Sequence, residues 1–176
     1  MDESKPYLIT SQSSSARCTA AMLLSEEGTP EAVDQLTSAA RVERDLWSLS
    51  FILFCIDDVG CSGNAEIFSD LVTAMDDPQR LSALLLVVHE RSIPIHPQLL
   101  ESLLGHPQWY IRLQACQCLI QQKATVDLAC ALSDLRKELQ TQSLEASNRP
   151  PSVSQGSEDF LDAAALNLLL DRLSNV

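Results

Sequence analysis

The sequence predicts an all-α fold, and three observations carry that expectation. β signals are scarce: aromatic residues make up 5% of the chain, and no run sustains the polar–apolar alternation of a half-buried strand. Leu, Ala, Gln, Glu and Ser dominate, residue types that favour helices or their caps. Turn and breaker residues then divide the chain into segments of roughly 10–18 residues, the usual length of globular helices. At 176 residues, 45% of them apolar, the chain is long enough for one domain with its own core and too apolar for global disorder.

The elements follow in order. A first helix is expected within residues 14–24, stopped by Ser25-Glu26-Glu27-Gly28. Thr29 caps the next, with Pro30 in its first turn, and it runs to about Val42. A third covers residues 44–59 and stops at Gly60-Cys61-Ser62-Gly63. Asn64 caps a helix reaching Met75, and Asp77-Pro78 opens another to about Glu90. His96-Pro97 starts a short helix ended by Gly105. His106-Pro107 opens a longer one to Gln122, and Thr125 caps a helix reaching Ser143. The predicted organisation is a flexible N-terminus over 1–13, a helical domain over 14–143, a Ser/Pro-rich linker over 144–157 and a final amphipathic helix over 158–174. That last segment places Phe160, Leu161, Ala164, Ala165, Leu168, Leu169 and Leu173 on one broad apolar face.

Charge and composition exclude several function classes. The chain carries 12 basic against 24 acidic side chains, a formal net charge of -12. Its only lysines are Lys5, Lys123 and Lys137, so a broad grip on nucleic-acid phosphate or anionic lipid is not expected. The start, Met1-Asp2-Glu3-Ser4-Lys5, lacks the basic-then-apolar form of a secretory signal. The most apolar run, residues 46–56 (LWSLSFILFCI), is too short for a bilayer span of about 20 residues and reads as a core helix. The six cysteines are Cys18, Cys55, Cys61, Cys116, Cys118 and Cys130. Cys55, Cys116, Cys118 and Cys130 fall inside apolar helical patterns, which predicts reduced, buried thiols. Cys116-Gln117-Cys118 would point its two sulfurs about 200° apart on a helix, unsuited to one zinc ion.

Two segments match each other. Arg80-Leu81-Ser82-Ala83 and Arg112-Leu113-Gln114-Ala115 share R-L-x-A at a spacing of 32 residues, each after a short helix and a turn with Pro78 or Pro107. Over roughly residues 64–143 this pattern resembles HEAT and armadillo repeats. The resemblance implies a short α-solenoid of antiparallel helix pairs, whose second helices line a partner-binding surface. Two departures stand out: His106 occupies a position usually held by Asp, and Gln79 replaces the aliphatic residue before the first Arg. A compact helical bundle is the alternative architecture.

On a helical wheel, the second copy has two apolar sides. Trp109, Leu113, Cys116 and Ile120 form one; Ile111, Ala115, Cys118 and Leu119 form the other. Such a helix is covered from two directions. The remaining wedge holds Tyr110, Gln114, Gln117 and Gln121. With Ser82 and His89 from the earlier copy, these residues make the candidate partner-binding face, Tyr110 being the anchor.

No constellation points to catalysis. His89-Glu90 begins an H-E-x-x-H pattern that fails at Ile93. His96 and His106 precede prolines at capping positions. Asp76-Asp77 reads as a cap, and Asp57-Asp58 as solvated residues at a helix exit. The five glycines form no phosphate loop. The expected function is a non-enzymatic protein–protein interaction module, an adaptor or scaffold in cytoplasm or nucleus, with no cofactor, metal or small-molecule substrate. The few visible repeats suggest an isoform or a piece of a longer repeat protein. A regulatory subunit built on a compact bundle is the alternative function.

Overall fold

The computed structural model describes residues 11, 13–60, 63–124, 126 and 128–147. Among them it contains eight helices and no strand: α1 (Ser14–Glu27), α2 (Pro30–Val42), α3 (Leu46–Asp58), α4 (Asn64–Ala74), α5 (Pro78–Arg91), α6 (Pro97–Leu103), α7 (Trp109–Gln121) and α8 (Ala129–Ser147). The fold is all-α.

Capping chemistry explains most of the boundaries. Thr29 accepts the N–H of Ala32 at 3.2 Å and Pro30 leads α2. Asp77 accepts the N–H groups of Gln79 and Arg80 at 2.9 and 3.0 Å, and Pro78 leads α5. Each side chain satisfies donors that the first helical turn leaves free. Gly28 sits at φ +62°, a left-handed conformation that costs glycine little, and its N–H returns to the Leu24 carbonyl. That closure lets α1 run through residues 25–27, which the sequence reading assigned to a turn.

Other boundaries differ from expectation. Asn64 is the first residue of α4 and Gly63 occupies the cap position, without a side-chain bond. The helix expected from Pro107 begins at Trp109, because His106 Nδ1 accepts the Gln108 N–H at 3.1 Å and holds residues 106–108 in a bend. His96 precedes α6 without a side-chain capping bond. α8 continues to Ser147, into the stretch read as linker. Thr125, Cys61 and the expected helix over 158–174 lie outside the described residues.

Helices α1, α3, α5 and α7 lie side by side and point the same way. Near their N-terminal ends, Ser14 and Arg17 of α1 donate to Asp45 and Ser48 at the start of α3. Near the C-terminal ends, Arg91 of α5 pairs with Asp57 and Asp58 of α3 at 3.9 and 3.3 Å and stacks over Phe54. Between α5 and α7, Ser82 meets Gln114 near one end and His89 meets Gln121 near the other. The intervening helices pack behind this row, α2 on α1 and α3, α4 on α2 and α5, α6 on α7. One apolar core runs between, from Leu24 and Leu36 through Ile52, Leu53, Phe68 and Leu84 to Ile111 and Leu119. A second, smaller cluster joins Leu113 and Cys116 of α7 to Leu132 and Leu135 of α8. The two apolar sides of α7 therefore enter two different clusters.

The first row contact is a buried polar network. Arg17 pairs with Glu43 at 2.5 Å, both nearly enclosed. The Glu43 carboxylate also accepts the N–H groups of Arg44 and Asp45 at 3.0 and 2.9 Å. Ser48, fully buried, donates to Asp45 at 2.8 Å and accepts from Arg17 at 3.4 Å. Removing either partner of a buried ion pair strands the other in a low-dielectric site. Glu43→Gln and Arg17→Met each lower unfolding free energy by about 3–5 kcal/mol in urea titrations. A loss of under about 1 kcal/mol would place this pair among ordinary surface contacts.

Candidate functional site

The arginines of the R-L-x-A copies hold chain turns together. Arg80 donates to the carbonyls of Ala40 and Arg41 at 3.0 and 2.8 Å, satisfying the free C-terminal end of α2. Arg112 donates to the carbonyls of His106 and Pro107 at 2.6 and 3.0 Å and pairs with Glu138 of α8. The shared arginine thus clamps different neighbours. Helices α5 and α7 begin 31 residues apart, at Pro78 and Trp109, whereas the motif repeats at 32. Leu81 and Leu113 consequently enter different clusters.

The six residues expected to form a partner face are brought together, though much of their polar capacity is spent within the fold. Gln114 is buried, and its Nε2 donates to Ser82 Oγ at 2.9 Å. Gln121 is exposed and donates to the His89 carbonyl and to Ser92 Oγ at 2.8 and 2.7 Å. Ser82 and His89 are half-buried in the same seam. Among the described residues, Gln114 Oε1 and His89 Nδ1 have no hydrogen-bond partner. Tyr110 and Gln117 are half-buried beside the seam, with Tyr110 edge-on to Trp109 at 5.9 Å between ring centroids. Four of the six residues thus bind α7 to α5. Gln114 is not at an open surface.

A wider face emerges where the row meets solvent. Trp47, Phe51 and Phe54 of α3 lie within about 60° of one another around the helix. Trp47 is 73% exposed, while Phe51 and Phe54 rest on the core edge. Leu86, 46% exposed, takes the outward side of α5, and Met22, 44% exposed, that of α1. Tyr110 and Gln117 continue the face onto α7. Sequence reasoning missed Trp47, Met22 and Leu86. For Trp47 the i, i+4, i+7 aromatic spacing was a signal, masked by an apolar run around the whole helix.

The other polar candidates have structural partners. Asp57 and Asp58 pair with Arg91, and Asp77 caps α5. Cys18, Cys55, Cys116, Cys118 and Cys130 are free thiols. Cys130, expected to be buried, is exposed, because it falls on the side of α8 away from α7. Burial pushes the thiols of Cys55 and Cys118 up to about 12 and that of Cys116 to about 11. Among the described residues no three His, Cys, Asp or Glu side chains group so as to hold a metal ion. No helix of the described residues is long and apolar enough to cross a membrane. No family model matches the chain, and no curated protein shows significant sequence similarity to it.

Two predictions follow from these placements. Gln114→Ala leaves Ser82 unpartnered and opens a buried gap, so it costs about 1–3 kcal/mol in chemical denaturation. Gln117→Ala changes stability by less than about 0.5 kcal/mol. The buried thiols ionise near pH 9 in the unfolded chain and only at higher pH in the folded one. The folded state then holds more protons above pH 9, so stability falls as pH rises toward 11–12. Comparing unfolding midpoints at pH 8 and pH 10.5 gives a smaller fall for Cys118→Ala than for the parent protein.

Proposed function

We propose that the chain is a non-enzymatic protein-interaction module, an adaptor or scaffold, built as a short α-solenoid of the HEAT or armadillo kind. The parallel row α1, α3, α5, α7 corresponds to the second helices of such repeats, and α2, α4 and α6 to the first. The supporting observation is the exposure of Trp47 in the middle of an apolar outward face. A tryptophan left 73% open to water keeps a large apolar area uncovered, and large aromatic side chains dominate the energetics of protein interfaces. Met22, Phe54 and Leu86 extend that area across three helices, and Tyr110 adds a fourth contact point. A protein partner binds by covering this face. The free thiols suit a reducing compartment such as the cytoplasm or nucleus.

The test compares tagged wild-type chain with Trp47→Ala and Leu86→Asp variants in cells, identifying co-purified proteins by mass spectrometry. Both positions are exposed, so circular-dichroism melting curves stay within about 0.5 kcal/mol of the parent. A discrete partner enriched with wild type and lost with both variants is the expected result. A partner held equally by all three proteins would remove the outward face from the account.

A further inference from the structure

We propose that residues 158–174 of this same chain form the next helix of the parallel row and dock on the flank of α7 that points away from α5. Along the row, each helix lends one flank to its successor. On α5 that flank is marked by Ser82, by the Leu85 carbonyl that accepts Cys118 Sγ at 3.7 Å, and by the His89 carbonyl. Advancing by the 31 residues that separate the two helix starts gives Leu113, Cys116 and Ile120 on α7. Trp109 shares their side, one turn nearer the N-terminus. Where α5 offers a serine and a histidine, α7 offers four apolar side chains and nothing polar.

Helix α8 covers this flank only in part. Leu132 and Leu135 pack on Leu113 and Cys116, with Leu104, Leu128 and Ala131 at the margin. Cys116 and Leu135 are nevertheless fully enclosed. Two helices side by side close their seam from one direction; a third element is needed to close it from the other. In the rest of the row that element is the next parallel helix, reached from the helix behind after a short connection.

The chain beyond α8 has the matching pattern. Phe160, Leu161, Ala164, Ala165, Leu168 and Leu169 share a broad apolar face, and the two alanines allow close approach of the axes. Residues 148–157 span roughly 33 Å when extended, ample to turn back along α8. A tether that short gives an effective concentration on the order of millimolar, which favours this segment over a second copy of the chain. Docked there, the segment lengthens the row and leaves Trp47 and Leu86 open.

The experiment uses the full chain with Trp47→Phe, so that Trp109 alone reports by fluorescence. In that background, Leu168→Asp with Leu169→Asp is compared with Ala163→Asp, which puts the same charge on the opposite side. Labelling of Cys116 by a small thiol reagent is followed by peptide mass spectrometry. The expected result is a red shift of Trp109 emission and labelling about tenfold faster or more in the double variant, with neither in the control. Should the double variant fail to fold by circular dichroism, Leu168→Ala with Leu169→Ala gives the same readouts in milder form. Unchanged emission and labelling in a folded variant would overturn the proposal. So would an emission shift that depends on protein concentration, since a second copy would then be the cover. Neither result bears on partner capture through Trp47.

Discussion

Leu49, Ile52, Leu53 and Ile56 of α3 are completely buried, and no single neighbouring helix covers them. The run around them is apolar on almost every side, so α3 needs partners on several flanks at once. It finds α1 and α5 beside it and α2 behind it. That demand places α3 inside a row, and the row in turn forces α1 and α5 to present apolar surface toward it. Helix α7 repeats the situation one step further on, with one side in each of two clusters. Burial of these two helices is the constraint from which the arrangement of the others follows.

Apolar packing alone tolerates sliding, and polar contacts supply the register. The Arg17–Glu43 pair and buried Ser48 tie α1 to the start of α3. Arg91 ties α5 to the end of α3. Gln114 and Gln121 tie α7 to α5 at both ends. Displacing any of these helices by one turn, 5.4 Å, would leave a partly buried polar group without its partner. The cost falls on the shifted arrangement, which is how a few such contacts select one alignment among several with similar apolar burial.

Much of the helix plan was legible because caps are local. Thr29-Pro30 and Asp77-Pro78 state a helix start within a few residues, and the structure keeps both. Pro107 carried the same local signal, and the ring nitrogen of His106 displaced it by bonding the Gln108 N–H. The two-sided character of α7 was readable from periodicity alone. What lies across from a side chain was not. Gln114 is as polar as Gln117, yet one is buried against Ser82 and the other faces outward. Arg17 and Glu43 are 26 residues apart, with no pattern linking them. Trp47 sat in a run too uniformly apolar for any periodicity to reveal which side stays in water.

The central claim is that α1, α3, α5 and α7 form a side-by-side row. The direct measurement is the distance between spin labels at Glu26 and Gln121, exposed residues near the C-terminal ends of the outermost row helices. Cys18, Cys61 and Cys130 are replaced by serine so that only the introduced thiols are labelled. Three interhelix steps of 8–10 Å each predict a separation of roughly 25–30 Å. A distance near 10–15 Å would mean that α1 and α7 approach each other as in a closed bundle, and would contradict the row.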